Sequence, residues 1–338
     1  LEEKSGNSAA DVVCVGESMA MLVPENPGAM SSDTLFRLSV AGAESNVAAY
    51  LSMLGTDVSW ISKVGDDSFG RFLLDEIRSF GVDVGHAARD PEHPTGVAFK
   101  DRSEEQTRVW YYRSGSAAST MGPEAARLVG SLGARVIHIS GITSALSASC
   151  RDFLAELIRT RATGTAVSFD VNWRPALWKD DGGPAAMLDV ARAADIVFVG
   201  LDEANDLWGS THPMEVRRLL PDPEYLVVKQ GAEGCTVFHR DEQVFVPALV
   251  VDVVEPVGAG DAFAAGFLSG YLRGMTIRDA GRLGTITASC SLSVVTDIGA
   301  LPGREYISEL LQLTDEGWRG QRFAPNLKES SNTRVPNR

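Results

Sequence analysis

The sequence predicts an α/β protein: a mostly parallel sheet covered by helices on both faces, with a small second β layer beside it. Three observations carry this. From residue 136 onward, short apolar runs rich in Val and Ile alternate with helical stretches, the rhythm of a parallel sheet whose crossovers are helices. Before that, 96–100 and 108–113 alternate apolar and polar residues around the polar stretch 101–107, a hairpin that stands outside the rhythm. After Gly258 the chain turns helical, over 261–273, 277–294 and 305–312.

Taken in order, 1–10 is polar with Gly and Ser and reads as a loose leader; Val12-Val13-Cys14-Val15-Gly16 is a short buried strand. Residues 19–40 mix alternating apolar positions with a Pro24–Pro27–Gly28 turn, which suits short strands of the second layer. A helix follows through Val47, Leu51 and Leu54, and Gly55 ends it. A strand over 58–64 leads to a strongly amphipathic helix with Phe69, Phe72, Leu73, Ile77 and Phe80 on one face and Gly81 at its end. Further strands are expected over 136–139, 166–170, 196–199, 226–229, 236–238 and 243–246, with helices over 148–161, 185–193, 203–208 and 214–220. An extended apolar run, 249–254, enters the Gly258 turn, and 319–338 reads as a loose tail. The expected single domain covers 11–318.

Composition narrows the function. A net charge of −14 opposes a nucleic-acid or anionic-membrane surface, and no apolar run reaches the ~18 residues of a membrane span. Four scattered cysteines in 338 residues suit buried thiols in a reducing compartment, the cytoplasm. The five histidines show no metal-ligand spacing.

The chemistry concentrates at Pro256-Val257-Gly258-Ala259-Gly260-Asp261-Ala262. Gly258 and Gly260 permit a tight turn and a close ligand approach, and the helix that follows offers unpaired amides to an anion. Asp261 in the first turn would repel a simple anion. It suits a site that handles both a phosphate and a hydroxyl about to lose its proton, with Asp261 as the base. Ligands of such sheets bind at the carboxyl ends of strands, and polar clusters stand after several of them: Asp170-Val171-Asn172-Trp173-Arg174, Asp202-Glu203 and Lys229-Gln230-Gly231-Ala232-Glu233-Gly234. Singly, these read as turns, caps or first-turn acids; together with the Gly258 turn they predict one cleft. Neither a dinucleotide fingerprint nor a G-x-x-x-x-G-K-[ST] loop is present.

Two further motifs bear on the family. Ala41-Gly42-Ala43-Glu44-Ser45-Asn46-Val47-Ala48, with Leu54-Gly55 and Val64-Gly65-Asp66-Asp67-Ser68-Phe69-Gly70, precedes the Gly258 motif in order. On these, the chain resembles the ribokinase-like (PfkB) family of small-molecule kinases over about 11–312. The resemblance implies a three-layer sandwich with a small β-sheet lid, from parts of 17–41 and 96–113, over the sugar site. It implies ATP and Mg²⁺, leaves a monovalent cation as an open requirement, and suggests a homodimer formed through the lid. It carries over Asp261 as base, with the amides of Ala259, Gly260 and Asp261 around the γ-phosphoryl oxygens. It also implies Gly258, Gly260, Lys229, Gly231, Gly234 and Asn172 on the nucleotide, and Glu203 near the metal, usually through water, with Asp202 in reserve. Residues 284–291 fall where the adenine usually rests. One departure is Gly200, where many relatives have Asn.

Within the family, Trp110-Tyr111-Tyr112-Arg113, His138-Ile139-Ser140-Gly141-Ile142 and Asp170-Val171-Asn172-Trp173-Arg174-Pro175 are similar to the 2-keto-3-deoxygluconate kinases, as is Glu44 in place of a ribokinase Gly-Lys-Gly pattern. The expected substrate is then a sugar acid, with Arg113 and Arg174 holding its carboxylate through guanidinium forks. Tyr111, Gly42 and Asn46 would line the same pocket. A fructokinase or other neutral-sugar or nucleoside kinase is the nearest alternative. A non-catalytic sugar sensor would be expected to lack Asp261 or the Gly-Ala-Gly turn.

Overall fold

The computed structural model describes residues 10–26, 28–102, 107–178 and 182–324. Pro27 of the expected 24–28 turn, part of the 101–107 loop, and most of both expected tails lie outside them.

An eight-stranded sheet organises the chain, in the order β14-β13-β12-β11-β10-β9-β1-β4. Its strands are β1 (Val12–Val15), β4 (Val58–Ile61), β9 (Val136–Ser140), β10 (Ala166–Asp170), β11 (Ile196–Gly200), β12 (Tyr225–Lys229), β13 (Gly234–His239) and β14 (Glu242–Pro247). Pairing is parallel from β4 to β12, and β12, β13 and β14 close the edge as an antiparallel meander. Successive side chains point to opposite faces, so Val12 and Cys14 enter one core with Trp60, Phe198 and Phe267. Val13 and Val15 enter the other with Ile137, Phe153 and Phe169. Continuous Val and Ile runs are what a strand buried on both faces requires.

A four-stranded sheet stands apart, in the order β3-β2-β7-β8: β2 (Met19–Pro24), β3 (Phe36–Ala41), β7 (Val97–Arg102) and β8 (Thr107–Tyr112). Its own cluster of buried apolar side chains is small: Met19, Met21, Val23, Ala41 and Ala98. On β8, Trp110 and Tyr112 project outward while Tyr111 shares the opposite face with Arg113; Trp110 and Tyr112 are 48% and 70% exposed.

Three expectations need correction. The strand foreseen over 58–64 is two pieces: β4 ends at Ile61, and β5 (Lys63–Gly65) pairs instead with β6 (Ala88–Asp90). The run 249–254 is no sheet strand. Val250 forms a lone bridge to Arg322, and Val250, Val253 and Val254 are exposed. The same bridge ties down the start of the expected tail: Phe323 donates to Val250 O at 2.8 Å and is buried. Among the described residues no helix is long and apolar enough to cross a membrane.

Candidate active site

The parallel register brings the carboxyl ends of β10, β11 and β12 to one edge, with Asp170 paired to Phe198 and Gly200 to Lys229. The fourth element arrives differently from the expected strand end. The helix Ala259–Leu272 is apolar on every side and buried between the helices Ala43–Met53 and Ile277–Leu292, and its packing aims its N-terminus at that edge. Gly258 caps it at φ +86°, a left-handed conformation that glycine adopts without strain.

Asp261 is 8% exposed, and two amides from distant parts of the chain hold its carboxylate. Asn46 Nδ2 donates to Oδ2 at 2.8 Å and Asn172 Nδ2 to Oδ1 at 3.4 Å. Asn172 takes φ +39°, a region Asn tolerates better than most residues. Both asparagines keep a buried Oδ1 that meets no partner in the protein. Burial, reinforced by the charges of Asp170 and Asp297 and opposed by the Asn46 hydrogen bond and the Lys229 charge, pushes Asp261 up to about 8. In the unliganded protein this carboxyl is therefore largely protonated at neutral pH.

Lys229 Nζ donates to both oxygens of Asp170 at 2.9 Å. A Cβ placed on Gly260 would lie 3.2 Å from that ammonium, so the lysine stands directly over the glycine turn. Burial alone would lower the Lys229 pKa, but Asp170 and Glu203 outweigh it and raise it. Glu203 sits in the first turn of the helix Leu201–Trp208. Its Oε2 accepts from Gly200 N at 2.7 Å and its Oε1 from Trp173 N at 2.9 Å. Burial pushes its pKa up, Lys229 draws it down, and Asp170 raises it. A Cβ at Gly200 would meet only the side chains of Asp202, at its Oδ1, and Glu203, 3.1 Å from its Oε2. Asp202 begins the same helix beside it.

On the sugar-facing side the expectations divide. Gly42 packs where a Cβ would fall 2.6 Å from Glu17 O, and Asn46 reaches Asp261. Arg174 is half exposed, 4.0 Å from Glu203 and with NH1 donating to Trp173 O. Tyr111 lies between the two arginines: burial raises its hydroxyl pKa, while the charges of Arg174 and Arg113 lower it. Arg113 needs a correction. It does not offer a free fork; its guanidinium is buried against Glu17, with Nε donating at 2.5 Å, and Ser116 donates to the same carboxylate.

Glu44 is also no cleft residue. It is fully buried, its Oε1 accepting from Ser140 N, Ser140 Oγ and Thr143 Oγ1, so it bolts the start of its helix to the end of β9. His138 is buried in β9 beside Ser168, and burial lowers its pKa to about 4, which keeps it neutral.

Gly231 opens a short 3₁₀ turn, Gly231–Glu233, at φ +57° with open space around its Cα. Gly234 is explained by packing, since a Cβ would fall 2.8 Å from Ala248 N. Of residues 284–291, all but Ala288 are buried.

Glu17, Lys100 and Asp297 are charged groups that reading the motifs did not single out, and Asp170 is named there only within its cluster, without a role of its own. Asp170 alone had a signal, as the last residue of a central strand. Among the described residues no three His, Cys, Asp or Glu side chains converge as a metal site. A groove of about 570 Å³ at the opposite ends of the strands, lined by Thr165, Asp195 and Tyr225, touches none of these residues.

The pattern of the pfkB family carbohydrate kinases matches residues 9–303. The chain is 37% identical over 308 residues to a 2-dehydro-3-deoxygluconokinase of Bacillus subtilis (strain 168), covering 89% of this chain and 95% of that protein. It is 38% identical to a 2-dehydro-3-deoxygluconokinase of Thermoproteus tenax, covering 89% and 94%. A PfkB protein from Polaromonas sp. JS666 has a similar crystal structure, with a TM-score of 0.77 at 36% identity, covering 86% and 98%.

Proposed function

As the chain belongs to the pfkB family of carbohydrate kinases, we propose that it transfers the γ-phosphoryl group of ATP to the 6-hydroxyl of 2-dehydro-3-deoxygluconate. The observation that carries this reading is a buried carboxylate, Asp261, gripped by Asn46 and Asn172 at the mouth of the Gly258 turn. The B. subtilis and T. tenax relatives, named for the 2-dehydro-3-deoxy sugar acid, supply the substrate.

In this reading the acceptor hydroxyl gives its proton to Asp261 as its oxygen bonds the γ-phosphorus and the bond to the β-phosphate oxygen breaks. The free Oδ1 atoms of Asn46 and Asn172 accept hydrogen bonds from sugar hydroxyls. Charge developing on the γ-phosphoryl oxygens meets the amides of Ala259, Gly260 and Asp261, which a helix start leaves unpaired. Lys229, paired to Asp170 over Gly260, faces the phosphates, with Gly231 and Gly234 along the nucleotide. Mg²⁺ bound with the nucleotide supplies charge neutralisation. Glu203 suits a place beside it: both carboxylate oxygens are fixed by amides, and each keeps a lone pair for a metal-bound water.

Arg174 takes the substrate carboxylate, with Tyr111 beside it. The small sheet closes over the sugar. Its outward Phe36, Leu38, Trp110 and Tyr112 offer an apolar face to a second copy of the chain. Four buried free cysteines suit a cytoplasmic enzyme.

A panel of sugars with ATP and Mg²⁺ tests the assignment. 2-Dehydro-3-deoxygluconate should turn over far better than fructose or ribose; the reverse order rejects it. Arg174→Met should lower kcat/KM for the sugar acid by roughly 10–10²-fold, the worth of a hydrogen bond to a charged group, with any residual neutral-sugar activity unchanged. Equal losses on both would remove Arg174 from carboxylate binding.

A further inference from the structure

One buried charge takes no part in that mechanism. Lys100, on β7 of the small sheet, is 0% exposed. Its ammonium crosses to the main body, donating to Val295 O at 3.1 Å and Asp297 Oδ1 at 3.2 Å, with Glu255 Oε2 at 3.9 Å. Both acids are nearly as buried as the lysine.

The partners stand directly behind the anion turn. Glu255 begins the segment that leads into Gly258, and a Cβ on Gly258 would fall 2.7 Å from Asp297 O. Ser291 Oγ, 3.0 Å from Asp297 O and 3.3 Å from Val257 O, sits between the two segments. The position of Gly258, and with it the aim of the Ala259, Gly260 and Asp261 amides, rests on the loop that Lys100 holds.

Burying an ammonium with carboxylates seldom repays its desolvation, and an apolar contact would fasten the small sheet at lower cost. A cation does what a methyl group cannot: it gathers a carbonyl and two carboxylates around one point. That is a ligand set for a hard cation, oxygen donors without thiol or imidazole. Asp297 is also among the charges that raise the Asp261 pKa, so its neutralisation bears on the base.

We infer that Lys100 is a positioning residue whose ammonium serves as a tethered monovalent cation, fixing 295–297 and Glu255 behind the Gly258 turn. Phosphoryl transfer then needs no dissolved K⁺ or Na⁺. The inference rests on the kinase reading above, so wild-type turnover is measured first. No turnover on any sugar counts against that reading, while the comparisons below address Lys100.

Wild-type kcat should be the same in tetramethylammonium, Na⁺ and K⁺ buffers. Lys100→Met should lose about 10²-fold in kcat in tetramethylammonium, the scale of a displaced catalytic group, with the KM for sugar little changed. K⁺, NH₄⁺ or methylammonium should restore part of it. Crystals of Lys100→Ala grown with Rb⁺ should show an anomalous peak between Glu255 and Asp297 that wild-type crystals lack. A wild type that requires K⁺ overturns the proposal. So does a folded Lys100→Met that keeps full speed, or one equally slow in every salt with no Rb⁺ peak in the alanine variant. Should the single variants not fold, Lys100→Met with Asp297→Asn removes the unpaired acid. That double variant should be slow and blind to cations, and wild-type speed in it would overturn the proposal.

Discussion

Replacing Asp261 with Asn should lower kcat by about 10²–10⁴-fold, the usual worth of a general base, while leaving ATP binding intact and raising the thermal midpoint at neutral pH. The two effects share one cause. Burial pushes the Asp261 carboxyl to about 8, against about 3.9 in an unfolded chain. The folded protein therefore keeps a proton that the unfolded chain releases between pH 4 and pH 8. Stability from this group is full below the unfolded value and falls as pH rises through that window, by up to about 1.4 kcal/mol per unit. Asn cannot ionise and escapes the loss. It does present an NH₂ group to one of the two donors, Asn46 or Asn172, at a cost of about 1–3 kcal/mol. The balance at pH 7 still favours the variant, and at pH 5 the advantage should vanish. Thermal melts at both pH values, with calorimetric titration of an ATP analogue, check this. A variant that turns over at wild-type speed, or melts lower at pH 8 than wild type, contradicts the assignment. In the wild type, kcat/KM should climb with pH toward about 8, because that ratio reports the free enzyme's base.

Gly258→Ala should be nearly as damaging and for a backbone reason. The residue sits at φ +86°, and an added Cβ would meet Asp297 O at 2.7 Å and Asp297 Cα at 3.1 Å. Neither obstacle is a flexible side-chain end. The strain costs on the order of 1–3 kcal/mol, and its relief must shift the Ala259 and Gly260 amides. Loss of one oriented donor costs about 10²–10³-fold in kcat in a well-studied hydrolase, and a comparable fall is expected here with a lowered thermal midpoint. Gly164→Ala, far from the site, is the control, at φ +89° with no atom near the new methyl. It should share the modest loss of stability without the collapse of kcat. Equal kcat losses in the two variants would mean that the Gly258 turn does not aim the amides.

The parallel core was legible because β10, β11 and β12 are short, mostly apolar runs of strand length separated by helical stretches. Asp261, Lys229, Asn46 and Glu203 were legible through motifs confined to a few neighbouring residues. The helices Pro123–Ser131 and Gly141–Leu146 went unforeseen. The run 249–254 misled because apolar composition alone does not say whether a segment pairs into a sheet; here only Val250 makes a bridge, to Arg322. Arg113 misled for a related reason: its partner Glu17 stands 96 residues upstream. Lys100 and Asp297 are 197 residues apart. Pairings at such separations are made by topology, and one sequence without structure does not display them.

The burial of the helix Ala259–Leu272 on all sides has a consequence for motion. Elements with the most buried contacts open least often and exchange their amide hydrogens most slowly. The amides of 262–268 should therefore outlast almost all others in deuterated solvent. Strands β2, β3, β7 and β8, whose own cluster holds five buried apolar side chains, should exchange early. The base is thus fixed to the stiffest part of the molecule, and admission of a sugar falls to the part that breathes most.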